Sequence, residues 1–423
     1  KAAVADGAGA LRLAQRGGRL FGSFQVLHAA VRDTAPAERF RPMVVSGHGT
    51  VVRDLWTGGF DARLPGGAQV AHAALRQDGA GAGQIALSTP VLAFAPGGLQ
   101  PADLSPAAAA LGKDVVGQAN FSGAFRWTKT GASSDGEVSI PDLSFKSPAG
   151  AVSGLSGKVR LTSLAPLVAP PGQTLHVAAI ASALPVSDAT VSLAIQATGL
   201  TLTGRGAAGG GELQVQDLSI PFAPDQPVTG ALQLVGVQLR DLVKASPFGD
   251  RVKLDAKVSG RIPFETQGGE ARISGGELHA IAPGRLSISR AVLSSVSAQG
   301  SMQASPGAAP AGQAAGSTDT FTDFAYQAME NLALDKLDAR VDTRPDNRLG
   351  VLFHIVGYHD PPKHQEISIS WLDLVRRKFL GKKLPLPSGT KVDLTLDTTL
   401  NLDELLKDYA DFQRLRSSPA VQR

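Results

Sequence analysis

The run Val252-Lys253-Leu254-Asp255-Ala256-Lys257-Val258-Ser259-Gly260-Arg261-Ile262-Pro263-Phe264 alternates along its length. Every even position except Gly260 is apolar, and the odd positions are charged, Ser or Pro. Successive strand side chains point to opposite faces, so this spacing predicts a ribbon with one greasy stripe and one wet stripe. The alternation returns at Val392, Leu394, Leu396, Leu400 and Leu402, interleaved with Asp393, Thr395, Asp397, Thr399 and Asn401. Val191, Leu193 and Ile195 share one face, and after Thr198-Gly199 the apolar positions move to Leu200 and Leu202. That shift predicts a turn or a bulge. Leu232 and Leu234 give way to Val237 and Leu239 across Gly236 in the same manner.

Gly-Gly pairs at Gly17, Gly58, Gly66 and Gly97, with Pro-Gly and Asp-Gly steps, punctuate the short alternating runs of the first 300 residues. Helical spacing is scarce. Leu239, Leu242 and Val243 fall on one side of a short candidate, and Phe321, Phe324, Ala325, Ala328 and Leu332 suit a longer one. The second follows an Ala/Gly/Pro/Ser tract over 301–320 that reads as a flexible loop. A last helix is predicted after Asn401, which can cap it with Glu404 three residues on. Leu402, Leu405, Leu406, Tyr409, Phe412 and Leu415 would form its stripe. The fold class is mainly β, an elongated sheet rather than a compact barrel, with a few short helices including one at the C-terminus.

Composition sharpens this picture in a few places. The 423 residues are 43% hydrophobic but only 5% aromatic, so the greasy stripes are aliphatic. Forty-eight glycines and 27 prolines suit many turns. A net charge of +4 is too mild for a nucleic-acid partner. With no cysteine, disulfides, thiolate metal sites and cysteine nucleophiles are excluded together. No apolar run reaches the ~18 residues of a membrane span. The chain begins at Lys1 and is read as part of a longer polypeptide, cut upstream.

Candidate chemistry is sparse. Gly204-Arg205-Gly206-Ala207-Ala208-Gly209 matches a dinucleotide fingerprint in letters, but Glu212 to Gln216 after it is strand-like, so a glycine-rich hairpin is the better reading. His354, His359 and His364 with Asp360 fit no zinc spacing, and no metal site is assigned. Neither a nucleophile elbow nor a phosphate-binding loop is present, so no catalytic residue and no cofactor are assigned. One segment stands apart. Trp371 precedes Arg376, Arg377, Lys378, Phe379, Lys382 and Lys383, a basic amphipathic stretch suited to an anionic membrane surface or to a solvated loop or helix face.

The run from Gly157 to Leu167 followed by Pro170 to Leu175, Gly236 to Val243 leading into Val258 to Phe264, and Ile273 to Ala280 followed by Ala282-Pro283-Gly284 resemble the YdbH family of bacterial AsmA-like proteins. Gly97 to Pro101, Gly136 to Val138 and Leu143 to Phe145 fit as well. Departures are Gly357-Tyr358-His359-Asp360-Pro361-Pro362, where the family tends to have Gly-x-Asn-Pro, and an expanded Lys/Arg loop after Trp371.

The resemblance implies a groove-forming β-sheet lined with aliphatic side chains, in a periplasmic protein of Gram-negative bacteria anchored in the inner membrane. It implies phospholipids as cargo and the outer membrane, or a lipoprotein there, as a partner; the anchor would lie in the missing N-terminal portion. An older dicarboxylate-transport label is set aside, because no arginine cluster suited to small diacids stands out. On this reading residues 1–300 are a continuous groove, 301–320 a loop, and 321–423 the end of the groove.

The leading expectation is therefore a non-enzymatic lipid conduit. Val252, Leu254, Val258, Ile262 and Phe264 would form one wall, and Val392, Leu394, Leu396 and Leu400 another. Two alternatives stand beside it: a scaffold that assists outer-membrane protein biogenesis through its sheet edge, and a closed-core β-sandwich binding protein.

Overall fold

The structure is a computed structural model that describes residues 2–35, 38–106, 108, 112–147, 150–182, 184–223, 225–244, 252–267, 270–289, 302–304, 327–362 and 388–400. It is 73% strand and 4% helical, with antiparallel pairing and no closure into a barrel. Contacts divide the chain into two units, Lys1–Gly204 with Ser219–Ala223 and Arg205–Leu218 with Pro224–Arg423.

In the first unit, β1 (Ala2–Arg16), β2 (Arg19–Asp33), β3 (Met43–Val52), β4 (Leu55–Arg63), β5 (Gln69–Gln77) and β6 (Gly83–Ser88) form a meander. β7 (Leu92–Phe94) and the short helix α1 (Pro101–Leu104) follow. Then come β8 (Lys113–Trp127), β9 (Ala132–Ser147), β10 (Gly150–Leu161), β11 (Ser163–Leu164), β12 (Leu167–Ala181) and β13 (Val186–Gln196). β8 takes both β6 and β7 as neighbours. Gly17-Gly18 closes the first hairpin with φ of +56° and +77°, the positive values that a two-residue turn requires. Arg53 and Asp54 adopt the same region at +52° and +68°, and the Asp54 carboxylate accepts a hydrogen bond from the Leu20 amide at 2.8 Å.

Several long strands are interrupted by register shifts: β1 beside Asp6, β8 beside Asp114 and β10 between Val152 and Gly157. Asp6 and Asp114 both have positive φ. A bulge bends its strand and increases the local twist, so the apolar face is curved rather than flat.

α1 starts at a proline, whose fixed φ suits a first helical position. The preceding Gln100 ties the segment to β8, since its side chain exchanges two 2.9 Å hydrogen bonds with the Val115 backbone. Leu99 and Leu104 thereby pack on the buried cluster Leu92, Phe94, Val115 and Leu143.

β14 (Gly199–Ala208) and β15 (Gly211–Pro221) follow, joined at Gly209-Gly210, both with positive φ. The glycine-rich run is thus a strand entering a hairpin, and no helix follows it. The second unit continues with β16 (Val228–Gln238), the short helix α2 (Leu239–Lys244), β17 (Val252–Asp255), β18 (Lys257–Gln267), β19 (Glu270–Ile273), β20 (Gly276–Ala280) and β21 (Gly284–Ile288). β22 (Met302–Ala304), β23 (Leu332–Thr343), β24 (Leu349–His359) and β25 (Lys391–Leu400) complete it. The shift expected at Gly236 is a bulge: the register slips between Leu234 and Val237, and Gly236 has φ +62°.

Three expectations meet the structure unevenly. The tract 301–320 contains β22, whose Met302 lies opposite Leu396 of β25; its remaining residues are outside the described set. Of the helix predicted over 321–332, residues 327–330 are helical and Leu332 opens β23. The C-terminal helix from Asn401 lies outside the described residues. No helix among the described residues is long and apolar enough to cross a membrane.

Candidate functional site on the apolar sheet face

Residues paired across an antiparallel ladder share a face, so the register sorts the side chains of the first unit into rows. One row reads Arg12, Ser23, Thr50, Thr57, Arg76, Gln84, Arg126, Ser133 across eight strands. Every member is polar. The adjacent row on the other face reads Leu11, Phe24, Gly49, Gly58, Leu75, Ile85, Phe125, Ser134. Two residues further along, on the same face, come Gly9, Val26, Gly47, Phe60, Ala73, Leu87, Gly123, Gly136 and Leu161. These two rows contain no charged residue. Their only hydroxyl is Ser134.

An apolar sheet face ordinarily has a second layer packed on it. Here Phe24, Val26, Phe60, Leu75, Ile85, Leu87 and Phe125 are only half-buried. α1 packs on the Leu92–Val115 cluster and not on these rows. A long apolar surface of this kind marks a binding site for something equally apolar.

The opposite face carries exposed ion pairs, including Lys146–Asp114 at 2.8 Å, Lys158–Glu137 at 3.0 Å and Arg126–Asp135. Such pairs contribute little stability, and they keep that face wet. Lys146 also holds the Asp114 carboxyl below the usual range.

A buried carboxylate ties the loop after β2. The Asp33 side chain has no exposed surface and accepts hydrogen bonds from the Arg39 amide (2.7 Å), its guanidinium (2.8 Å twice) and the Ala35 amide (3.1 Å). The guanidinium, more than any other neighbour, holds Asp33 far below the ordinary carboxylate pKa. This loop in turn reaches α1, through Ser105 Oγ donating to the Arg39 carbonyl at 2.6 Å and the Arg41 amide donating to the Leu104 carbonyl at 2.9 Å.

In the second unit the structure gathers four of the nine residues predicted as groove walls. Val252 pairs with Ile288 and Leu254 with Leu286, and both pack with Val392 on a core that includes Leu394, Ile355, Met329 and Leu332. The two predicted walls therefore meet in one cluster. Val258 and Leu394 are each 1% exposed, and Leu396 is 7%, so protein covers all three. Ile262 and Phe264 are half-buried, opposite Leu232 and Gly230. The alternating ribbon is two strands rather than one. It breaks at Ala256, whose carbonyl accepts the Leu239 amide of α2 at 3.0 Å; β17 then pairs with β21, and β18 with β16 and β20. The side chain of Leu400, and Trp371, Arg376, Arg377, Lys378, Phe379, Lys382 and Lys383, lie outside the described residues.

The two described histidines of the candidate cluster separate. His354 stands on the wet face with Nε2 3.1 Å from Asp393. His359 is buried, its Nδ1 has no hydrogen-bond partner, and desolvation lowers its pKa. No group of metal-ligating residues occurs among the described residues.

The sequence reading missed the rows of the first unit. Phe24, Phe60, Leu75 and Leu87 carry the right alternation, but Ala74, Ala86 and Gly59 on the other face blur it.

A comparison with family models matches residues 8–366 to the YdbH-like model, described as intermembrane phospholipid transport protein YdbH. Neither a curated protein nor a solved structure matches the chain.

Proposed function

Because the chain belongs to the YdbH-like family of intermembrane phospholipid transport proteins, we propose that it carries phospholipids with their acyl chains laid against the apolar rows of its sheet. The observation that carries this reading is the pair of uncharged rows running across β1 to β9, whose large side chains are at most half-buried and, among the described residues, are not covered by α1. Each methylene withdrawn from water gains about 0.8 kcal/mol, so an acyl chain of ordinary length is held firmly without any polar contact. The rows carry no charge that would pin a chain at one position, so it can move between neighbouring positions. The transfer needs no bond-making step, and the protein acts as a conduit rather than an enzyme. In this reading it works in the periplasm as a bridge between inner and outer membranes. In the second unit Val252, Leu254, Ile262, Phe264 and Val392 offer a lipid-facing surface of their own. Val258, Leu394 and Leu396 lie on the same face but are covered by protein.

Leu75→Glu combined with Leu87→Glu tests it. Both side chains are half-buried and lie on the lipid-facing rows, so charge enters the path without an internal void. Mass spectrometry of the purified protein should show several-fold less bound phospholipid, whereas Gln84→Glu on the opposite face should leave it unchanged. Equal lipid in both variants contradicts the reading.

A further inference from the structure

Phe24 of β2 and Trp56 and Phe60 of β4 approach one another across the intervening strand β3. The Phe24–Trp56 ring centroids are 5.6 Å apart at 44°, and the Phe24–Phe60 centroids 6.1 Å apart at 26°. Phe24 and Phe60 reach each other because β3 carries glycine where it passes between them, whereas Trp56 lies opposite Val51 and meets Phe24 on the diagonal. A Cβ built on Gly49 would lie 2.2 Å from Phe24 Cζ, and one on Gly47 2.6 Å from Phe60 Cδ1. On β4, a Cβ on Gly58 would lie 3.1 Å from Phe24 Cζ. The two phenylalanine rings therefore lie down over bare backbone instead of standing away from the sheet, as strand side chains ordinarily do.

This arrangement is costly for a stable sheet. Glycine inside a strand is less favourable than alanine by roughly 0.5–1 kcal/mol per position. Rings laid over glycines recover part of that as packing; a Cβ on Gly49 or Gly47 would also lie 2.3 Å from the Thr57 carbonyl oxygen or 2.2 Å from that of Gly59, so the close approach of β4 selects glycine there as well. The same device recurs where Phe121 lies over Gly123 and Gly136, with Cβ distances of 2.7 Å to the ring in both cases. A flat aromatic floor keeps the space above it open, and a standing ring would fill that space. All three residues of the first group are half-buried rather than sealed in a core.

We infer that Phe24 and Phe60 on their glycine bed, with Trp56 beside Phe24, form a discrete acyl-chain seat, where the chain lies flat against aromatic faces rather than among aliphatic side chains. The occupant is a phospholipid tail. The seat carries no charged group, its rows are uncharged across eight strands, and the family to which the chain belongs transports phospholipid. The inference rests on the lipid-carrying reading above and adds a location to it.

Trp56 makes the seat observable. The chain has three tryptophans, at positions 56, 127 and 371, so Trp127→Phe with Trp371→Phe leaves Trp56 as sole reporter and keeps a ring at each site. This protein is equilibrated with phosphatidylethanolamine and phosphatidylglycerol vesicles whose acyl chains carry bromine at mid-chain, then re-isolated, and its bound lipid is counted by mass spectrometry. Bromine quenches tryptophan only near contact, so Trp56 emission should fall several-fold relative to unbrominated lipid. A reporter on the wet face, made by adding Trp56→Phe and Thr57→Trp, should stay bright with the same lipid bound.

Bound brominated lipid with an unquenched Trp56 overturns the seat and leaves the lipid-carrying reading standing. Failure of any lipid to bind overturns both. Gly58→Val supplies a second measurement, because a Cβ there lies 3.1 Å from the Phe24 ring and 3.2 Å from the Phe60 ring, and its side chain pushes both out of their flat positions into the seat. If the variant folds, Trp56 quenching should be lost while lipid remains bound elsewhere; quenching as strong as in the parent overturns the seat.

Discussion

Asp33 shows how one residue's chemistry reaches the rest of its unit. Its buried carboxylate gathers four hydrogen bonds from a loop of a few residues, and that loop is bonded to the α1 segment covering the Leu92–Val115 cluster. The pKa of Asp33 is lowered by the Arg39 guanidinium, so folding favours the ionised form. The stability it contributes is complete above the unfolded carboxylate value of 3.8 and is lost as pH falls below that value toward the folded pKa. Asp33→Asn keeps the shape and removes the charge. Its midpoint of thermal unfolding should be a few degrees lower at neutral pH, and the difference from the parent should shrink on acidification below pH 4. A gap that persists unchanged at low pH would show that the charge is not what anchors the loop.

At the scale of elements, bulges decide which side chains face inward. Leu234 and Val237 are three positions apart, yet both are buried, because the bulge at Gly236 resets the alternation. Gly236 sits at φ +62°, and a Cβ added there would meet only Ile281 Cδ1, at 3.6 Å. Gly236→Ala therefore meets conformational strain and little crowding. It should cost about 1 kcal/mol, read as a lower denaturant midpoint with an unchanged slope. An unchanged midpoint would mean that the bulge relaxes without cost.

The bulge was readable in the chain itself, since the apolar positions slip by one across Gly236. So were the hairpin at Gly209-Gly210 and the short helix at Leu239. What the alternation could not reveal is what lies against each stripe. Val258 and Phe264 have the same pattern in sequence, but Val258 is sealed between Val237 and Ala280, whereas Phe264 lies over Gly230 and stays half-exposed. The break at Ala256 was hidden for a related reason: the helix-to-strand hydrogen bond that makes it comes from a residue 17 positions upstream. Phe24, Gly49 and Gly58 are brought together only by register, which a single sequence does not display.

At the scale of the whole molecule, membership of a phospholipid-transport family and a sheet whose two faces differ in polarity point the same way. The first unit keeps its apolar rows accessible, and the second buries much of its own around Leu394 and Met329. The central claim is that lipid touches one face of the first unit's sheet and not the other. The most direct test places a photo-crosslinking amino acid in turn at Phe24, Leu75, Ile85 and Leu87, and at Ser23, Arg76, Gln84 and Ser88, in cells whose phospholipids are radiolabelled. The account predicts labelled adducts at the first four positions and none at the second four, so that lipid contact alternates residue by residue along β6. Adducts of equal strength on both faces, or on neither, would contradict it.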